Sequence, residues 1–252
     1  MRPMSVVNDS NLPIPRTFMK RARNTHLLSQ AFTLIEMLVV VTIIVLLLAF
    51  STPALMRTLE ATRLSSVGDS LLGAISEAQQ ISYAQNVPTE LRFFSYGGDF
   101  GSKPQIRSYQ LFKVTLTSQG TGAAISYKET LVPVNSLVIL AEGIVIPTDE
   151  ELSPALSGEG LPDQKDDGSG GYSGVKEATY TALRFMTDGT CRKAGKAQSG
   201  FAQLVLQTLP TCFFTITYDN GQEIEVSNLP KNFFTIQVDP YTGKARSYKP
   251  GF

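Results

Sequence analysis

The sequence predicts an α+β fold in which a long amino-terminal helix, first membrane-spanning and then amphipathic, packs on a domain of antiparallel β-sheet. Three consecutive stretches of the 252-residue chain predict it. Residues 32–52 are almost entirely apolar, and residues 53–87 repeat their apolar positions every three or four residues. Residues 88–252 hold β-branched and aromatic segments separated by turns, enough for one globular domain.

The apolar stretch is long enough to cross a membrane. The nineteen residues from Phe32 to Phe50 contain one charged side chain, Glu36. As a helix they measure roughly 28 Å, close to the hydrocarbon thickness of a bilayer. A core helix should keep a polar face, which this run lacks after Glu36, and a secretory signal should be shorter and end at a small-residue cleavage site. We therefore predict a transmembrane helix over 32–52.

Glu36 is a candidate functional residue. A carboxylate in hydrocarbon costs about 2.5 kcal/mol or more unless it finds a partner. The alternative is a tolerated glutamate that reaches the membrane interface.

Charge is distributed unevenly around the start of this run. Of the 22 basic and 22 acidic residues, residues 1–31 hold five and one, a net charge of +4, so the remainder, with 17 and 21, carries −4. Because positive flanks stay in the cytoplasm, the first 31 residues are predicted to be cytoplasmic, and the β-rich domain is predicted to be periplasmic. Met19 is a second plausible start of translation besides Met1.

Residues 53–87 are predicted to continue the helix as an amphipathic spine. Gly68 and Gly73 weaken a helix by up to about 1 kcal/mol each relative to alanine, so packing must support it. Asn86 and Pro88 should end it, because the residue before a proline avoids helical angles. The apolar positions are Leu64, Val67, Leu71, Ala74, Ala78 and Ile81.

The domain over 88–252 is predicted to be built from strands. They are Leu91–Ser95, Arg107–Leu116, Leu137–Ile146, Thr179–Met186, Phe201–Gln207, Phe213–Tyr218 and Phe233–Val238. The turn residues 239–243, followed by Lys244–Tyr248, predict a carboxy-terminal hairpin. Residues 147–177 are dominated by Pro, Gly, Asp, Glu and Ser and are predicted to be a flexible surface insertion, in which residues 158–174 hold few side chains that could enter a core.

The junction from Ala31 to Glu36, AFTLIE, followed by the apolar run, resembles the processing site of type IV prepilins and type II secretion pseudopilins. The resemblance implies a pilin-like fold, removal of the leader 1–31 between Ala31 and Phe32 by prepilin peptidase, and methylation of the Phe32 amino group. It also implies that Glu36 pairs with the amino terminus of a neighbouring pilin-like subunit and that Pro53 kinks the helix. The family usually has glycine where this chain has Ala31.

Segments of the soluble part resemble H-type minor pseudopilins and related minor pilins. They are AISEAQQISYAQNVPTELRF at 74–93, ALRFMTDGT at 182–190 and FFTIQVDPYTGKARSY at 233–248. Taken whole, the sequence also resembles the Verru_Chthon cassette D family of prepilin-like proteins, which has no assigned activity. Fold and assembly carry over from such a resemblance more safely than a cargo.

The chain after the leader offers little catalytic or metal-binding chemistry. The one histidine, His26, lies in the leader, which excludes histidine bases and histidine metal sites from the processed chain. Cys191 and Cys212 alone cannot make a four-ligand zinc site. Outside the cytoplasm they could form a disulfide that stabilises by roughly 3 kcal/mol, with two partly buried thiols as the alternative. We predict no metal, no cofactor and no enzymatic activity.

Two polar clusters each have a ligand-binding interpretation and a simpler one. Asp163, Asp166 and Asp167 suggest a calcium loop, but the EF-hand template is broken at Lys165 and Gly174, which favours a solvated acidic loop.

Lys244, Arg246 and Lys249 form the second cluster, at the carboxy terminus. Some H-like minor pilins bind DNA through a terminal Gly-Arg-x-Arg, and this chain reads Gly-Lys-Ala-Arg at 243–246. Weak, salt-sensitive nucleic-acid contact is the alternative to an ordinary solubilising surface.

The sequence therefore predicts a structural subunit of a type II secretion or type IV pilus-type filament, held in the inner membrane by one span before assembly. The alternatives are a DNA-binding minor pilin for uptake, a membrane-anchored extracytoplasmic protein that is never assembled, and an enzyme with a signal anchor.

Overall fold

The structure, a computed structural model, describes residues 32–98, 103–119, 126–158, 160–165, 170–194 and 212–249. It is α+β, with an apolar amino-terminal helix and antiparallel sheets. The chain divides into two units, Met1–Phe50 and Ser51–Phe252. The helix α1, Leu34–Gln85, contributes residues to both.

The bounds of α1 agree with the predicted helix to within two residues. Asn86 takes a left-handed φ of 52°, a conformation that Gly or Asn commonly adopts just after a helix. Pro88 follows and prevents the helix from continuing. In the second unit the predicted apolar face is buried, with Ile81 partly so, and Ile75 and Ser82 join it.

Strands account for most of the regular structure after α1 in the described residues. They are β1 Thr89–Tyr96, β2 Gln105–Gln119, β3 Ser126–Pro133, β4 Val138–Ile139, β5 Ile144–Val145, β6 Leu161–Pro162, β7 Thr179–Phe185, β8 Cys191–Ala194, β9 Phe213–Tyr218, β10 Phe234–Val238 and β11 Ala245–Tyr248. A short 3₁₀ helix covers Val226–Asn228.

In the described part of the chain these strands form two antiparallel sheets. The larger has the order β3-β2-β1-β7-β6, with β4 also beside β2 and β8 also beside β7. The smaller has the order β11-β10-β9-β5. One core cluster takes side chains from α1 and from both sheets, among them Leu71, Ile75, Phe93, Leu111, Phe185, Phe214 and Ile236.

Several predicted strands agree closely with the structure. The prediction over 213–218 matches β9, and β10 pairs with β11 as the predicted carboxy-terminal hairpin. The segment 137–146 differs, because β4 and β5 replace one strand and pair in different sheets around a turn in which Gly143 has a φ of 77°. Strands β3, β6 and β8 were not predicted, and the predicted strand Phe201–Gln207 lies outside the described residues.

The segment 147–177 places more residues in the interior than its composition predicts. Leu152, Ala155 and Leu156 are buried, and the backbone N–H of Ala155 donates to the carbonyl of Phe213 at 3.1 Å. The predicted surface insertion is corrected here for residues 152–156, since a short apolar group inside a polar segment is enough to pack beside β9.

Candidate functional site

The first turn of α1 is closed by a capping box between Thr33 and Glu36. The backbone N–H of Glu36 donates to Thr33 Oγ1 at 3.2 Å. In return, Glu36 Oε2 accepts from the backbone N–H of Thr33 at 3.4 Å and from its hydroxyl at 3.5 Å. A helix start leaves its first N–H groups without intrahelical partners, and this arrangement supplies some. The Glu36 carboxylate therefore points back towards Thr33, the neighbour of Phe32.

The capping box is a role of Glu36 that the sequence analysis missed, although the signal, a threonine three residues before a glutamate at the start of an apolar run, was present. The two contacts to the carboxylate are longer than the usual limit of about 3.2 Å, so the carboxylate is held weakly. A carboxylate accepts about four hydrogen bonds. Glu36 therefore keeps capacity for a cationic partner.

Between Glu36 and Ser51 the helix is predominantly apolar and is not buried. Leu34–Ser51 is long and apolar enough to span a membrane, and none of its residues is buried in the chain's own fold. Its hydroxyl-bearing Thr42 donates from Oγ1 to the carbonyl of Leu38 at 2.8 Å, so this polar group is satisfied within the helix, as a lipid environment requires. Exposed large apolar side chains occupy most positions from Phe32 to Phe50.

The other residues predicted for processing and assembly lie at the two ends of this run. Ala31 falls outside the described residues, and Phe32 is exposed just before α1. Pro53 lies within α1. Cleavage at Ala31, methylation of Phe32 and a kink at Pro53 stay predictions.

Cys191 and Cys212 are both free thiols, buried in the same core cluster. The backbone N–H of Cys191 donates to the Pro240 carbonyl, and the Val238 N–H donates to the Cys212 carbonyl, both at 2.8 Å. Both cysteines are therefore hydrogen-bonded to backbone at the end of β10 or just after it. Burial raises the pKa of Cys212 to about 11 and that of Cys191 well above its ordinary value. The disulfide stays a prediction.

The carboxy-terminal basic residues do not form one surface. Lys244 and Arg246 line a depression of about 290 Å³, which they share with Asp239. Lys249 instead donates from Nζ to Ser65 Oγ at 3.1 Å. Hydrogen bonds from the hydroxyl of Thr242 and from backbone N–H groups lower the pKa of Asp239, and Arg246 adds to this. The depression therefore holds an ionised carboxylate beside its two cations, which reduces its attraction for phosphate.

The acidic cluster of the insertion is only partly described. Asp163 is buried, and its carboxylate accepts from the backbone N–H groups of Tyr172 and Ser173 and from the Ser173 hydroxyl, at 2.6–2.9 Å. Asp166 and Asp167 lie outside the described residues. In the part of the chain that is described, no three His, Cys, Asp or Glu residues are grouped as a metal site requires.

A buried charge network on the larger sheet was not predicted. The Glu90 carboxylate accepts from Arg92 Nε at 2.7 Å and from Arg184 Nη2 at 2.6 Å. Arg184 also binds Glu129, at 3.0 Å. Burial, the largest influence, raises the pKa of Glu90, but the two guanidinium groups outweigh it and hold the pKa below its ordinary value.

The alternation of charged and apolar residues in TELRFF, at 89–94, is the available sequence signal for this network. Such alternation is typical of a strand with one face in water. In the structure nearly all of β1 is buried, and the register places Glu90 opposite Arg184. The burial of β1 and the pairing of Glu90 with Arg184 depend on which strands become neighbours. The sequence of one strand does not contain that information.

Comparison with known proteins gives no relative from which a role can be transferred: no protein-family model, curated protein or solved structure matches the chain.

Proposed function

We propose that the protein is a prepilin-like structural subunit, a minor pseudopilin or pilin, of a type II secretion or type IV pilus-type system. Its precursor is cleaved between Ala31 and Phe32, and its amino-terminal helix then packs with the helices of other pilin-like subunits in a filament. The observation that carries the proposal is the segment Leu34–Ser51, which is predominantly apolar, has Glu36 as its one charged residue, and is left unburied by the chain's own fold.

An apolar helix that its own fold leaves unburied needs an apolar environment in place of water. Lipid provides it for the membrane-held precursor, and other apolar helices provide it in a filament, where van der Waals packing drives association. The proposed precursor is a single-pass inner-membrane protein with a cytoplasmic amino terminus and a periplasmic β-rich domain. No catalytic reaction or cofactor is part of the proposal.

Glu36 gives the packing its specificity. An uncompensated carboxylate at this depth is costly, and the capping contacts with Thr33 are long. The ammonium group of a processed Phe32 on a neighbouring subunit supplies a charge-assisted partner. Because the pairing requires a set alignment of two helices, it fixes the register between subunits.

The experiment compares assembly of Glu36→Leu and Glu36→Gln with that of Glu60→Gln. Glu60 also lies exposed on α1, in the second unit, and is the matched control. We expect the Glu36 variants to be processed, to stay in the membrane fraction and to lose co-sedimentation with the filament, whereas Glu60→Gln assembles as wild type. Assembly of Glu36→Leu at the wild-type level would remove Glu36 from the proposed contact.

A further inference from the structure

The turn after β9 contains an asparagine that is followed directly by a glycine. Asn220 and Gly221 are both exposed, and Gly221 has a left-handed φ of 75°. A Cβ built on Gly221 would meet no atom within 4 Å, so the space around this peptide bond is open to solvent. Such a pair is chemically reactive, because a backbone nitrogen attacks the preceding asparagine amide most easily where no Cβ is in the way.

Both reacting groups are hydrogen-bonded within the turn. The Gly221 N–H donates to Asp219 Oδ1 at 2.9 Å, and the Gln222 N–H donates to Asn220 Oδ1 at 2.9 Å. These are successive Asx turns, in which a side-chain oxygen binds the backbone N–H two residues on. The first bond engages the proton that the Gly221 nitrogen must lose before it attacks. The second polarises the amide carbonyl that it attacks.

Asp219 is itself held in place from two other sides. Its Oδ2 accepts from Arg107 Nη2 at 2.5 Å, and its backbone N–H donates to the Gly143 carbonyl at 2.8 Å. Burial, the largest influence, raises the pKa of Asp219, but the bonds from Arg107 and Gly221 outweigh it and hold the pKa below its ordinary value. The Gly221 N–H is therefore bound to an anchored, ionised carboxylate, the stronger kind of acceptor.

We propose that Asn220 is a site of spontaneous deamidation and that Asp219 sets the rate by holding the Gly221 N–H. In the reaction the Gly221 nitrogen loses its proton and bonds to Asn220 Cγ, the Cγ–Nδ2 bond breaks, and ammonia leaves. Water then opens the resulting succinimide at one of its two carbonyl carbons, which gives aspartate or isoaspartate. Water is the one co-reactant that the reaction consumes.

The product alters a loop that connects the two sheets. Deamidation adds a carboxylate next to Asp219, at the ion pair with Arg107 of β2. Isoaspartate also lengthens the backbone by one methylene group before Gly221. Ile224 follows shortly and is buried with Val145 and Leu152, so a longer backbone disturbs this packing. We therefore expect the modified protein to be less stable than the unmodified one.

The test follows Asn220 by peptide mass spectrometry in the full chain in detergent, at mildly alkaline pH. Conversion appears as a gain of about one dalton, the difference between the ammonia lost and the water added. The same chain unfolded in guanidinium chloride gives the rate without the turn. We expect the folded wild type to convert at least tenfold more slowly than the unfolded chain, because the N–H must first be released by local opening.

Variants of Asp219 separate the bond to Gly221 from the ion pair with Arg107. Asp219→Ala should speed conversion of the folded chain about tenfold, as expected for loss of a hydrogen bond to a charged group, and leave the unfolded rate unchanged. Asp219→Asn keeps an oxygen acceptor but loses the charge, and should stay closer to the wild-type rate. Glu223→Ala removes an exposed carboxylate from the same loop and is the matched control, expected to convert as wild type.

Equal rates in the folded and unfolded wild type, or no conversion in either, would overturn the proposal. Equal acceleration by Asp219→Asn and Asp219→Ala would also overturn it, because the ion pair with Arg107 would then govern the rate in place of the Gly221 bond. If Asp219→Ala fails to fold, the wild-type comparison still decides.

Discussion

Gly68 of α1 lies directly against the ring of Phe234 on β10. A Cβ built on Gly68 would be 2.6 Å from ring carbons Cε1 and Cζ, far inside the normal contact distance of about 3.5–4 Å between carbon atoms. Gly73, on the same helix, would meet no atom within 4 Å. One glycine is therefore required by packing, and the other is not.

Gly68→Ala should destabilise the second unit by about 1–3 kcal/mol, because the added methyl group forces Phe234 or α1 to move. Gly73→Ala should instead stabilise it by up to about 1 kcal/mol, through helix propensity alone. Thermal unfolding of the two variants in detergent measures both effects. Equal shifts in the two variants would contradict the packing role of Gly68.

This pair also illustrates what sequence reasoning can reach. The propensity scale treats Gly68 and Gly73 alike, as weak points that packing must offset, and only the structure distinguishes them. The helix bounds and its buried face were predictable, because hydrophobic period and the Asn86–Pro88 ending are local signals. The pairing of β4 and β5 with different sheets was not, because neighbouring short segments carry no information on distant partners.

Features of the candidate site also differ in whether local sequence predicts them. The apolar run and Glu36 are evident from composition, since one charge in nineteen residues is conspicuous. The capping box with Thr33 follows a local sequence pattern, a threonine three residues before a glutamate at the start of an apolar run. The network around Glu90 depends on cross-strand register and on cover by a segment whose polar composition suggested solvent exposure.

Glu90→Gln should cost about 3–5 kcal/mol, because it leaves Arg92 and Arg184 buried without their shared counter-charge. Glu129→Gln is the matched control. The Glu129 side chain is 29% exposed, against 1% for Glu90, so its loss should cost about 1 kcal/mol or less. Denaturant unfolding of the two variants provides the comparison. A similar loss of unfolding free energy in both variants would show that the burial of a glutamate does not govern how much its ion pairs stabilise the fold.

Because of Glu90, the stability of the folded chain should depend on pH in the acid range. The pKa of Glu90 is lower in the folded chain than its ordinary value of 4.5, so the folded state binds fewer protons than the unfolded state. Its contribution is complete above about pH 4.5 and is lost as the pH falls through the folded pKa. The unfolding midpoint of the wild type should therefore fall more steeply below pH 4.5 than that of Glu90→Gln. If the unfolding midpoints of the wild type and of Glu90→Gln fall equally steeply below pH 4.5, this role of Glu90 is contradicted.

The reduced protein should react slowly with thiol reagents. Because burial raises the pKa of Cys212 from 9.0 to about 11, its thiolate fraction near pH 8 is lower by about 100-fold than that of an unburied thiol. Iodoacetamide labelling should be slow in the folded state and fast after denaturation, while Cys212→Ser removes one labelled site. The mass of the unreduced protein tests the disulfide separately, since a bridge between Cys191 and Cys212 removes two hydrogens. Fast labelling of the folded, reduced protein would contradict the burial of both thiols.

The central claim is tested most directly by mass spectrometry of the amino terminus of the membrane-extracted protein, expressed with a competent prepilin peptidase. We predict that the chain begins at Phe32 and carries a methyl group on its amino nitrogen. A protein that retains residues 1–31 under these conditions would contradict processing at Ala31, and with it the proposed pairing of Glu36 with a neighbour's amino terminus.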